Sequence, residues 1–369
     1  MNSERIRGKV FWPDGHFSGG EVEIRAGRIA GVRSLPEEAL QGDERTALIL
    51  PGLVDIHSHA CIGYDTCEAD EEQLGKMLDF QRSVGVTSYL PTTMTYDEGK
   101  LAGVCRRIAA VRHPGLKGIY LEGPFLSREK KGAQNEAYLM KPDADMVRRL
   151  QEAAKGLIRV VAVAPEAEGA MEMIRDLSGE VVLSLAHTTA DYETAKRAFA
   201  AGASQVTHLF NAMLPYHHRE PGLIGACFDT EGVRAELICD GIHVHEAVIR
   251  NTFRQLGPER VVMISDSMEA TGMPEGTYAL GGQTVYVKGR RATLADGTIA
   301  GSASTLYDCM KYAISVGVPR EQVFLACTRN PAQAARIETR VGSIEPGKDA
   351  DLLILEEASL KIRRVLSKI

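Results

Sequence analysis

His57 and His59 stand one residue apart at the end of the apolar run Leu48-Ile49-Leu50-Pro51-Gly52-Leu53-Val54-Asp55-Ile56. Side chains alternate faces along a strand, so residues i and i+2 can aim two imidazoles at one point just past the strand end. Neutral imidazole is the commonest protein ligand for a divalent ion, so the pair suits metal binding. Alone it is a weak signal, because a strand-end histidine is more often simply hydrogen-bonded. The rest of the chain strengthens it. Glu122 follows Tyr120-Leu121, His187 follows Leu185-Ala186, and His208 follows Val206-Thr207. Asp240, His243 and His245 follow Ile238-Cys239, and Asp266 follows Ile264-Ser265. With His217 and His218, eight of the ten histidines fall at or near such junctions. Each residue has a plainer reading. Glu122 could cap a turn before Gly123-Pro124, Asp266 suits an N-cap, and His245 reads best as a solvated helix start. His16 and His113 lack this context and read as surface residues. One shared cation centre accounts for the set jointly, with His, carboxylate and water ligation around one or two divalent ions.

The elements that would gather these residues form a repeating pattern. Apolar, strand-like runs occur at 48–56, 86–92, 116–121, 158–164, 181–186, 205–209, 235–239 and 260–264. Helix-like segments, such as 191–201 and 247–256, lie between them. Eight β-then-α units predict an α/β fold, a (β/α)8 TIM-like barrel, whose active site forms at the C-terminal strand ends. An open doubly wound sheet is the competitor, but no Gly-rich phosphate fingerprint follows the first strand. Residues 21–25 alternate polar and apolar, as does the neighbouring segment, and the C-terminus reads similarly. Both ends are expected to build a small β-sandwich domain from residues 1–50 and 340–369, around a catalytic barrel at 51–339.

Composition sets the bounds. The chain has 369 residues, 44% hydrophobic and 25% charged, which suits a large globular core. A net charge of −6 gives no basic footprint for nucleic acid. Seven dispersed cysteines without a Cys-x-x-Cys pair read as reduced, buried thiols. No apolar segment follows Met1-Asn2-Ser3-Glu4-Arg5 as a signal peptide would require, and no run of about 18 apolar residues suggests a membrane span. A cytoplasmic location is therefore expected.

Taken in order, several stretches resemble the amidohydrolase superfamily. Within it they resemble the branch that deacetylates N-acetylated amino-sugar 6-phosphates. These are Pro51-Gly52-Leu53-Val54-Asp55-Ile56-His57-Ser58-His59, Leu121-Glu122-Gly123-Pro124-Phe125 with Lys131-Gly132-Ala133, and His187-Thr188-Thr189. Then come Thr207-His208-Leu209-Phe210-Asn211-Ala212-Met213, His217-His218-Arg219-Glu220-Pro221-Gly222, Asp240-Gly241-Ile242-His243-Val244-His245, Asp266-Ser267-Met268-Glu269-Ala270-Thr271-Gly272 and Ala300-Gly301-Ser302. The resemblance implies a main metal held by Glu122, His187 and His208. A second would be held by His57 and His59, with Glu122 between the ions. Asp266 would be the catalytic carboxylate at the metal centre, and His243 would touch the substrate and help polarise its carbonyl. Asn211, Ala212, Arg219, Gly301 and Ser302 would bind substrate, Arg219 reaching the phosphate from a neighbouring subunit, which implies a homodimer. The metal could be zinc, iron, manganese or cobalt. The expected reaction is hydrolysis of N-acetyl-D-glucosamine 6-phosphate to D-glucosamine 6-phosphate and acetate. The alternatives are the N-acetylgalactosamine isomer, another amidohydrolase reaction (cyclic amidase or deaminase), and a non-catalytic sugar-phosphate binding protein. Many two-metal relatives use a carboxylated lysine after the fourth strand; here that strand ends in Ala164-Pro165-Glu166, with no lysine.

Overall fold

In the computed structural model, described over residues 3–367, the first apolar run divides at Gly52. Ala47–Pro51 joins a sheet of the chain ends, and Leu53–Ser58 begins the barrel. The single long strand expected at 48–56 is therefore two. Gly52 makes the break because its N–H turns to the carbonyl of Asp351 (2.8 Å). A Cβ on Gly52 would lie 2.1 Å from Thr87 Oγ1, so only glycine permits this approach.

The barrel strands are β1 (Leu53–Ser58), β2 (Val86–Thr93), β3 (Ile119–Leu121), β4 (Ile158–Val163), β5 (Val182–Leu185), β6 (Gln205–Val206), β7 (Arg234–Ile238) and β8 (Val261–Ile264). They pair in parallel and in sequence order. The sheet meets itself at the rim, where the Asp266 N–H donates to the His57 carbonyl (2.9 Å). There too the Ser265 hydroxyl donates to Asp55 Oδ2 (2.5 Å). This is the (β/α)8 barrel the sequence predicts.

Alternation along the strands splits the core in two. Val160, Ala162, Val182, Ile238, Val262 and Ile264 pack in the barrel interior. Val161, Val163, Leu183, Leu185, Leu237 and Met263 pack outward against the helices. Each helix is cut to length by local signals. The helix Tyr192–Ala201 is opened by Asp191, whose carboxylate accepts from the Thr194 N–H, and is closed by Gly202 at φ 122°. The helix Glu246–Leu256 is opened by His245, whose ring accepts from the Ala247 N–H (3.2 Å). His245 is thus the helix start that its position suggests.

The small β domain of the chain ends is built on one six-stranded sheet around a core of its own. Ala47–Pro51 runs parallel to Ser3–Phe11 and antiparallel to Leu352–Glu356, which stitches the two ends together. A three-stranded insertion after β8, Gly276–Leu280, Gln283–Lys288 and Arg291–Thr293, is not anticipated by the β/α count. Its Gln283 side chain donates to the Ala133 carbonyl, so the insertion leans over the barrel rim. The seven cysteines are buried and free. Among the described residues no helix is long and apolar enough to cross a membrane.

Candidate metal centre and cleft

Six side chains converge at the C-terminal rim, in two groups: Glu122, His187 and His208; and His57, His59 and Asp266. Glu122 lies between the groups. Its Oε1 is 2.9 Å from His208 Nε2, 3.2 Å from His187 Nε2 and 3.5 Å from His57 Nε2. Its Oε2 is 3.1 Å from His59 Nε2. Asp266 Oδ1 is 3.3 Å from His59 Nε2 and 3.6 Å from His57 Nε2.

This donor set fits a divalent ion. His57 Nε2 is buried with no hydrogen-bond partner, although buried polar atoms are nearly always partnered. His187 and His208 bring their Nε2 atoms within 3.2 Å of each other beside the same carboxylate oxygen. The far side of two rings is tied down. His187 Nδ1 donates to the Lys130 carbonyl (2.7 Å), and His57 Nδ1 donates to Glu236 Oε2 (2.8 Å). In the neutral imidazole that a metal requires, each bond leaves Nε2 as the lone pair facing the centre; without an ion a second proton there can bond the neighbouring carboxylate instead.

Charge is balanced inside the cluster. Burial works against an ionised Glu122, but the imidazoles of His57 and His187 and the hydrogen bonds from His187 and His208 hold its pKa well below the ordinary value. Asp266 behaves alike: burial pushes it up, and the hydrogen bond from His59 and the charges of His57 and His59 bring it below the usual carboxylate range. Burial pushes His59 down, yet its bonds to Asp266 and Glu122 raise it to about 10. His208 is raised to about 9, its bond to Glu122 overcoming burial.

The backbone is strained where these residues sit. His187 (φ 43°), His208 (φ 28°) and Asp266 (φ 48°) all adopt left-handed conformations that non-glycine residues rarely take. Strain of this kind costs of order 1–3 kcal/mol per residue and persists only when the surroundings impose it. Here each residue turns sharply off a strand end and throws its side chain toward the centre. Glu166, in the place where a lysine is missing, accepts from the Thr188 hydroxyl and the Thr189 N–H (2.6 Å) and so clamps the His187 turn.

The centre opens into a cleft of about 390 Å³. Asn211, Ala212, His243 and Gly301 line it, with Met94 and Leu280 as apolar walls. Asp240 orients His243: its Oδ2 accepts from His243 Nδ1 (2.8 Å) and from the Ser302 hydroxyl (3.0 Å). Burial works against an ionised Asp240, but its bonds to His243 lower its pKa to about 2. Ser302 is fully buried and lies behind Asp240, not on the cleft wall. Arg219 is exposed, is absent from the cleft lining, and pairs with its neighbour His218 (2.7 Å). His113 is not freely exposed; its ring accepts from the Gly115 N–H (3.0 Å).

Two site residues escape sequence reasoning, and for Asp240, already placed at its strand end, the role does. Gln134 donates to Glu122 Oε2 (2.6 Å), Asp240 holds His243, and Glu236 holds His57. For Glu236 a signal exists: it is the one charged residue inside the buried run Ala235-Glu236-Leu237-Ile238-Cys239. Gln134 carries no such mark, because it sits in a polar loop.

A parallel barrel with imidazoles and carboxylates gathered at one rim defines a metal-centred (β/α)8 scaffold. The Amidohydrolase family profile matches residues 48–368, and the chain belongs to that family. Its relatives are more particular. It is 37% identical over 358 residues to the N-acetylglucosamine-6-phosphate deacetylase of Bacillus subtilis (strain 168), covering 91% of this chain and 88% of the relative. It is 32% identical over 364 residues to the N-acetylgalactosamine-6-phosphate deacetylase of Escherichia coli O157:H7, covering 96% and 94%. Among solved structures it resembles a mutant N-acetyl-D-glucosamine-6-phosphate deacetylase from Mycobacterium smegmatis, in complex with N-acetyl-D-glucosamine-6-phosphate. That match has a TM-score of 0.93 at 32% identity, over 100% of this chain and 98% of that one.

Proposed function

We propose that the chain hydrolyses the acetamide of N-acetyl-D-glucosamine 6-phosphate to D-glucosamine 6-phosphate and acetate. The observation that carries this reading is the buried six-residue centre beneath a polar cleft, in a chain whose relatives deacetylate amino-sugar phosphates. Glu122, His187 and His208 would hold the main divalent ion (zinc, iron, manganese or cobalt). His57 and His59 would hold a second, and Glu122 and Asp266, which lie against both histidines, would add their carboxylates to the donor set. Such an ion would supply Lewis acidity toward the acetyl carbonyl and toward water, whose pKa it would lower toward about 7.

The remaining work belongs to side chains. Asp266, held ionised, accepts the proton of the attacking water and later delivers a proton to the departing sugar amine. His243, its Nδ1 held by Asp240, presents Nε2 to the substrate and stabilises charge developing on the carbonyl oxygen. Asn211 and the backbone amide of Ala212 hold the phosphate. Gly301 lines the cleft beside the sugar; its φ of 68° and the 3.1 Å that a Cβ would leave to Met268 Cβ require glycine to keep this stretch of wall in place. Ser302 serves the substrate indirectly, by bracing Asp240 behind His243. Arg219 is exposed and outside the lining of its own cleft, which leaves it free for a role at the phosphate of a second copy in a homodimer. Reduced, buried thiols favour the cytoplasm as its location.

The galacto isomer is the second reading, favoured by the Escherichia coli O157:H7 relative. An acetate-release panel of N-acetylated hexosamines, with and without 6-phosphate, on metal-reconstituted protein tests both. The gluco 6-phosphate is expected to turn over fastest. Preference for the galacto isomer would select the second reading, and no acetate from any sugar would remove both.

A further inference from the structure

Glu236 is a carboxyl group in the interior of a β-barrel, fully shielded from solvent, on a strand whose next residue on the same face, Ile238, is buried and apolar. Burying such a group is costly unless each oxygen is matched. Its oxygens are matched. Oε1 accepts from the Gln205 side chain of β6, and Oε2 accepts from His57 Nδ1 of β1 at 2.8 Å. Oε2 also faces the His208 N–H at 3.4 Å. Gln205 is itself buried, so it serves no solvent-facing purpose. The arrangement ties β6 and β7 across the barrel to the one histidine of the centre whose Nε2 has no hydrogen-bond partner.

We infer that Glu236 is the positioning residue that makes this chain a two-ion protein, by holding His57 as the Nδ1–H tautomer with its Nε2 lone pair aimed at the second site. An acceptor-only carboxylate opposite Nδ1 leaves the imidazole no other neutral arrangement. Glu236 makes no bond to the side chains of Glu122, His187 or His208; its one contact there is the long approach of the His208 main-chain N–H (3.4 Å), and His187 takes its own orientation from the Lys130 carbonyl. Loss of Glu236 therefore acts on the second ion and spares the first. This inference rests on the metal-dependent reading above.

The test is metal content per chain, with the rate of loss of each ion to a chelator, on metal-reconstituted protein. Native protein is expected to hold two ions. Glu236→Leu, which removes the acceptor, is expected to keep one. Glu236→Gln keeps a carbonyl acceptor but loses the charge; it is expected to hold the second ion about 10–100-fold more weakly, the usual cost of removing such an outer partner. The retained first ion shows that the barrel has folded, and Glu236→Gln carries the test if Glu236→Leu does not fold. Nitrogen chemical shifts of labelled histidine report the His57 tautomer independently; it is expected to be Nδ1–H in the native chain and in Glu236→Gln. Two ions held with native resistance to chelator in both variants would overturn the inference, as would a native chain that takes a single ion. A native chain that takes none would instead defeat the metal-dependent reading itself.

Discussion

Asp266 occupies a position where three demands meet. It must be ionised to take a proton, close to the imidazoles, and open to the cleft. Its bond from His59 meets the first two, and its place in the cleft lining meets the third. Asp266→Asn is expected to lower kcat by about 10²–10⁴-fold, the usual weight of acid–base assistance. The ion at Glu122, His187 and His208 should remain, so paired acetate-release and metal assays separate the roles; undiminished turnover would remove Asp266 from the chemistry. The raised pKa values of His59 and His208 give a second expectation. Both lie above the ordinary 6.5, at about 10 and about 9, so the metal-free fold gains stability from protonated imidazoles that is complete below pH 6.5. That gain is lost as pH rises through 9 to 10. The urea midpoint of chelated protein should therefore fall between pH 6.5 and 10. Because ions compete with these protons, metal affinity should rise over the same range. Much of this residue scale is legible in the sequence. His57, Glu122, His187, His208 and Asp266 each follow an apolar strand signal, and strand-end position in a barrel converts that signal into convergence. Glu236, Gln134 and the clamp by Glu166 are hidden because their value lies in a partner across the barrel, and spacing along the chain carries no trace of that partner.

At the scale of elements, periodicity locates strands well and ends them less well. The run through 48–56 is apolar throughout, so hydrophobicity gives no reason to break it. The break comes from the approach of Thr87 to Gly52, a contact between distant segments. Gly52→Ala is expected to destabilise by about 1–3 kcal/mol, the range for overpacking a filled site, and to lower the urea midpoint accordingly. Adding Thr87→Ala should recover part of the loss, since the Thr87 side chain is what the new Cβ meets; no recovery would place the strain elsewhere. The three-stranded insertion after β8 is hard to foresee for a related reason. Its middle strand, Gln283–Lys288, alternates buried and exposed residues like any half-covered strand, and nothing local says that it leaves the barrel. Asp191 and Gly202, by contrast, mark their helix within a residue, because capping is a local interaction.

For the whole molecule, the position of Arg219 matters most. It lies outside its own cleft, so a second copy must supply it if it binds phosphate. Arg219→Ala is expected to raise KM far more for the 6-phosphate than for the unphosphorylated sugar. Co-assembling Arg219→Ala with Asp266→Asn should restore activity, since one mixed site then has both intact residues; no restoration would place Arg219 in cis or out of the site. The chain-end sheet, threaded by Ala47–Pro51, sets β1 and hence His57 against the rest of the rim. The claim beneath all of this is that imidazoles and carboxylates from distant strands share a cation that makes water reactive toward an acetamide. Acetate release from N-acetyl-D-glucosamine 6-phosphate by exhaustively chelated protein, before and after a divalent ion is returned, measures it most directly. Activity that vanishes with the metal and returns with it is the predicted result; full activity in metal-free protein would contradict the account.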